Sequence, residues 1–218
     1  MGRTRPGGRL TALADRLGAL LGTGRAERRV AESVVARYRE PHRAYHGERH
    51  LAEVLAALDA LTGAAAPVPV LLAAYWHDAV YDPRATDSEE RSARLAQADL
   101  APLGLDAGEV VRLVRLTAAH DPAPEDRAGG LLCDADLAVL AAPPQRYAEY
   151  AACVREEYAH VADEAFRAGR AAVLRTFLDR PAVYATAAGR ERWEVAARRN
   201  VAVEIAALTG DGGADRRR

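Results

Sequence analysis

Imidazole and carboxylate side chains are the groups in this chain whose placement could do chemistry. Five of the six histidines, His42, His46, His50, His77 and His120, fall within the first 120 residues. Imidazole is the commonest metal ligand and the usual acid or base near neutral pH. His77 is followed at once by Asp78, at the end of an apolar run. Adjacent helix residues diverge by ~100°, yet both side chains can reach one ion placed off the helix end. An imidazole and carboxylate set of this kind suits a borderline or hard divalent ion such as Mn, Co, Mg, Ni, Zn or Fe. Upstream lie His46 and His50; downstream lie His120 and the acidic pair Asp134 and Asp136. His46 and His50 are four apart with Glu48 between them, which invites a zinc-protease reading. That motif needs Glu directly after the first His, and here the position is Gly47, so the reading fails.

The elements that must carry these residues read as helical nearly throughout. Val30, Val34, Val35 and Tyr38 form one apolar face, ended before Pro41. Leu51, Val54, Leu55, Leu58 and Leu61 form another, ended near Gly63. The run from Val68 to Val80 is almost wholly apolar and richer in helix formers than in β-branched residues, which predicts a buried helix. Thr86 with Glu89 or Asp87 with Glu90, and Asp106 with Glu109, have capping-box spacing, each opening a new helix. Leu131–Leu140 predicts a further helix, stopped by Pro143 and Pro144. The amphipathic stretch Gln145–Leu178 follows, with a break expected near Gly169, and a last helix runs from about Glu191 to Leu208. Tyr75 and Trp76 read as core. His160 reads as a solvated position on a helix, and Arg155, Arg170, Arg175 and Arg198 as a solvated or ion-paired face.

Composition bounds the rest. A chain of 218 residues that is 50% hydrophobic can build a sizeable core without staples. The net charge of −1 supplies no global field for nucleic acid or anionic membrane. Every one of the 30 basic residues is Arg, and Ala is abundant, a pattern of coding bias that weakens arguments from arginine content. Cys133 and Cys153 sit in apolar helical stretches and read as buried thiols of a reducing cytoplasm. Met1–Leu21 begins basic and turns apolar, but Asp15 and Arg16 interrupt it and no cleavage site follows, which argues against a signal peptide. No run approaches the ~18 apolar residues of a membrane span. The expected organisation is an N-terminal helical segment over 1–25, one helical domain over 26–208 and a frayed tail over 209–218.

The order of candidate ligands resembles the HD superfamily, whose pattern is a His, a His-Asp doublet and a distant Asp, all on helices. Five segments narrow the resemblance to a bacterial group of predicted metal-dependent HD phosphohydrolases. They are Tyr-Arg-Glu-Pro-His-Arg-Ala-Tyr-His (38–46), Trp-His-Asp-Ala-Val-Tyr-Asp (76–82), Asp-Ser-Glu-Glu-Arg-Ser-Ala (87–93), Thr-Ala-Ala-His (117–120) and Asp-Ala-Asp-Leu (134–137). The segments 169–184 and 197–200 add to it, so it spans roughly Tyr38 to Glu204.

The resemblance implies an all-α, single-domain multi-helix bundle of HD-domain type. It also implies hydrolysis of a small phosphorylated substrate, such as a nucleotide, by a metal-activated water. The implied metal ligands are His50, His77, Asp78 and Asp136. His46 remains an alternative to His50, which better matches a His that starts a helix, with Val54 one turn on. Asp134 remains an alternative to Asp136. His120 would serve a second ion or protonate the leaving oxygen. Glu89 or Glu90 could orient the water, against their rival capping role. Arg43 is the candidate phosphate clamp, because its planar fork matches phosphate oxygens. The expected setting is cytoplasmic, with no nucleic acid or membrane partner and with a homodimer left open. Two other classes compete: a non-catalytic helical module that binds a nucleotide or another ligand, and an oxygenase with an HD-type di-iron site.

Overall fold

The computed structural model describes residues 6–210, with side chains from Ala12 onward. The described residues form α-helices and short 3-10 helices, with no strand among them. The chain is therefore all-α, as its periodicity predicts. Its contacts divide it into two units, 1–135 and 136–218.

The first unit is built around one helix. Helix α4 (Val68–Trp76) is apolar on every side, and Val70, Leu72, Ala73, Ala74, Tyr75 and Trp76 are all buried. A helix that is apolar all round must be surrounded. Helices α1 (Pro6–Leu21), α2 (Arg25–Arg37), α3 (Glu48–Thr62), α5 (Ser88–Leu100) and α6 (Gly108–Leu116) pack against it. Each fully buried Leu or Val contributes about 1.5–3 kcal/mol relative to exposure. The ends of α4 follow from sequence: Pro67 precedes it and Pro69 lies in its first turn, where a missing N–H is harmless. Helix α3 closes on Gly63 in the left-handed conformation, at φ 63°. Helix α1, expected as a separate N-terminal segment, packs on α2 and α4 within this unit.

Helix α7 (Arg127–Asp136) ends the first unit, and its last residue opens the second. There a 3-10 helix (Leu137–Ala141) is followed by α8 (Pro144–Glu157), α9 (Asp163–Leu178) and α10 (Ala187–Thr209). Helix α10 packs on α9 and on the 3-10 helix. Asn200 ties that packing down by donating to the carbonyls of Leu140 and Ala142 at 2.9 and 2.8 Å. Arg198 donates to the carbonyls of Leu178, Arg180 and Pro181.

Three local expectations are corrected. The Gln145–Leu178 stretch breaks at 158–162, not near Gly169. Arg155 holds the turn through the carbonyls of Tyr158 and Val161, and Asp163 and Glu164 favour a new helix start by opposing its dipole. A single glycine lowers helix propensity by only ~1 kcal/mol, and Gly169 sits inside α9 without ending it. His160 consequently lies in the turn, exposed, rather than on a helix. The capping boxes do not form. Asp87 makes no side-chain cap bond, Asp106 accepts from the Gly108 N–H at 2.9 Å, and Glu109 pairs with Arg112. The last helix starts earlier than expected, at Ala187, because the Thr186 hydroxyl accepts from the Gly189 N–H. The expected tail lies outside the described residues from 211 onward. Cys133 is buried and Cys153 half-buried, both as thiols. No described helix is long and apolar enough to cross a membrane.

Candidate metal centre

Three of the candidate ligands converge. His50 occupies the first turn of α3, facing inward and 2% exposed. His77 ends α4, 1% exposed, and Asp78 follows in the turn. The two Nε2 atoms are 3.0 Å apart, and Asp78 Oδ2 lies 3.3 Å from His50 Nε2 and 3.2 Å from His77 Nε2. Among the described residues this trio is the group of His, Cys, Asp and Glu whose ligand atoms lie close enough to hold a metal ion.

The donor set suits a divalent cation. His77 Nδ1 lies 2.9 Å from the Ala74 carbonyl, which can only accept, so Nδ1 carries the proton. Loss of the Nε2 proton, which faces Asp78, would free that lone pair for a cation, with the ring orientation fixed from behind by the Nδ1 bond. The three donor atoms lie 3.0–3.3 Å apart, close enough for His50, His77 and Asp78 to hold one divalent cation between them. Burial by itself would raise the Asp78 pKa. The nearby His77 charge, hydrogen bonds from His50 and His77, and the His46 charge outweigh it and hold the carboxyl well below its usual range. A half-buried, ionised carboxylate beside two imidazoles supplies the negative charge that a bound cation requires.

A layer of aromatic and basic side chains surrounds the trio. The His46 ring stacks on Tyr81 with centroids 4.2 Å apart and meets the His50 ring edge-on at 5.6 Å. His42 holds the Tyr81 carbonyl at 2.8 Å. The turn after Asp78 is fastened from α5: the Val80 N–H donates to Ser92 Oγ at 3.0 Å, Ser92 Oγ donates to the Val80 carbonyl at 3.1 Å, and the Asp82 N–H donates to Ser88 Oγ at 3.3 Å. Trp76 Nε1 donates to Asp99 at 3.0 Å, anchoring the end of α4 to α5. The serines of the 87–93 segment are therefore scaffold for the His-Asp turn. Sequence reasoning passed over Ser88, Ser92 and Tyr81, although all three stand in the segments that carry the resemblance.

Two of the other candidates are differently employed. Arg43, expected as a phosphate clamp, has a fully buried side chain, and its N–H groups point at the Glu40 carboxylate and at the carbonyls of His46, Asp78 and Ala79. That expectation is corrected: none of its donors is turned to a ligand. Glu90, the alternative water-orienting carboxylate, is paired with Arg115 and Arg94, whose hydrogen bonds lower its pKa to about 2. Glu89 is half-exposed in the first turn of α5. His120 lies just beyond α6 in the left-handed region, at φ 48°. Asp134 is buried in α7. Asp136 ends α7 and opens the second unit. In that unit the Tyr150 hydroxyl pKa is raised by burial first, opposed by Arg170, with Glu204 and Asp136 adding to the rise.

Fold and trio together define an all-α protein with a candidate divalent-metal centre. Comparison with protein-family models, with curated proteins and with solved structures found no match to the chain.

Proposed function

We propose that this chain is a metal-dependent phosphohydrolase of the HD type, acting on a small phosphorylated substrate. The observation that carries the reading is the convergence of His50, His77 and Asp78, from two helices and a turn, within 3.3 Å of one another. The HD-like order of ligands in the sequence supports it. When bound, a divalent ion supplies a Lewis acid for a phosphoryl oxygen and acidifies a water for attack on phosphorus. The residues do the rest. His50 and His77, both buried, would present their Nε2 lone pairs once the protons facing Asp78 are displaced. Asp78 balances cationic charge and is held ionised for that purpose. His46, beside Asp78 and less buried than His50, supplies a route for proton exchange with solvent.

The test is metal analysis of purified protein, followed by a phosphatase and pyrophosphatase screen with added Mn, Co, Mg and Ni. Metal-dependent phosphate release is expected. It should be abolished in Asp78→Ala, reduced in His120→Ala and unchanged in His160→Ala, which alters an exposed turn. No release from any of a broad set of phosphoesters would favour a ligand-binding module. Bound iron with a di-iron absorbance spectrum would favour an oxygenase.

A further inference from the structure

Arg43 is the least exposed charged side chain near the trio, at 0%. Its five N–H donors are all directed. Nε donates to Glu40 Oε2 at 3.0 Å, and Nη2 lies 2.9 Å from the same oxygen. Nη1 donates to the His46 carbonyl at 3.0 Å and to the Asp78 carbonyl at 2.7 Å, and Nη2 donates to the Ala79 carbonyl at 3.2 Å. The guanidinium carbon lies 5.3 Å from the Tyr38 ring centroid and 5.6 Å from that of Tyr81. One planar group thus joins the loop that leads into His50 with the turn that carries His77 and Asp78, segments 35 residues apart in sequence.

We propose that Arg43 is a positioning residue that sets the Asp78 carboxylate against the two imidazoles by clamping the main chain on both sides of the centre. The inference rests on the metal-centre reading and assigns a cause to its geometry. The bond to the Asp78 carbonyl restrains that peptide and so the direction in which the Asp78 side chain leaves the main chain. The bond to the His46 carbonyl holds the main chain two residues before α3 begins and four before His50. Lysine cannot substitute, because a point ammonium with three donors cannot reach one carboxylate and three carbonyls in a plane. Supports behind metal ligands typically alter affinity by about 10–100-fold when removed.

The experiment measures Mn and Co affinity by titration calorimetry, together with thermal stability, for wild type, Arg43→Lys, Arg43→Ala and Asn200→Ala. Asn200→Ala is the destabilised control, since Asn200 braces the second unit through two carbonyls. The expected result is a roughly 10–100-fold weaker affinity in Arg43→Lys, with its fold retained, and unchanged affinity in Asn200→Ala. In Arg43→Ala, millimolar guanidinium should recover part of the lost affinity by occupying the vacated slot between Tyr38 and Tyr81. Should Arg43→Ala fail to fold, Arg43→Lys carries the test alone. Tight wild-type binding with equally tight binding in Arg43→Lys overturns the positioning role and leaves the metal centre standing. Absence of binding in wild type overturns the metal centre and the positioning role together.

Discussion

Replacing Ser92 by Ala removes one oxygen and tests how the His-Asp turn is held. Ser92 is fully buried, and its hydroxyl serves both the N–H and the carbonyl of Val80, two residues beyond Asp78. Alanine fits the space but leaves both backbone groups without their partner. An orphaned buried donor or acceptor costs about 1–3 kcal/mol. The turn is only partly buried, so water can satisfy one of the two groups, and a net loss of about 2 kcal/mol follows. In a chain of this size that corresponds to a fall in Tm of roughly 4–8 °C. Urea denaturation followed by Trp76 fluorescence, in a Trp193→Phe background, reports on the unit that contains Ser92. Ser88→Ala removes a single bond of 3.3 Å and should cost about 1 kcal/mol or less. A Ser92→Ala change within about 0.5 kcal/mol of zero, the range of ordinary surface substitutions, would refute the claim that this hydroxyl fastens the turn.

Three further outcomes are expected. Gly169→Ala should stabilise the protein by about 0.5–1 kcal/mol, because the glycine lies inside a helix and a Cβ there meets open space; a thermal melt showing destabilisation would restore a break at that position. The Glu90 pKa is held at about 2, below its ordinary 4.5, so its ion pairs contribute stability above pH 4.5 that is lost as pH falls toward 2; the stability gap between wild type and Glu90→Gln should close over that window, and a gap constant with pH would contradict the pairing. His77→Ala should weaken Mn binding at least about tenfold; unchanged affinity measured by calorimetry would take His77 out of the ligand set.

The sequence disclosed the centre better than its supports. His77 and Asp78 stand out by adjacency, but it is the resemblance to the HD pattern, with a His opening an apolar helix, that favours His50 over His46. Arg43 was misread because its chemistry depends on which oxygens surround it. Those oxygens include backbone carbonyls from a turn 35 residues away, and residue type carries no trace of them. Ser88 and Ser92 escaped notice for a similar reason: a serine on a helix is unremarkable until a loop from another element lies across it. Helix type and order were legible from periodicity. The turn at 158–162 was not, because no Gly or Pro marks it. It is made instead by Arg155 reaching two carbonyls and by an acidic helix start.

The most direct test of the metal centre is the visible absorption spectrum of the Co-loaded protein, read alongside calorimetric stoichiometry. A spectrum of Co bound to nitrogen and oxygen ligands, lost or shifted in each of His50→Ala, His77→Ala and Asp78→Ala but unchanged in His160→Ala, is the predicted result. Full stoichiometry and an unchanged spectrum in the three trio variants would contradict it.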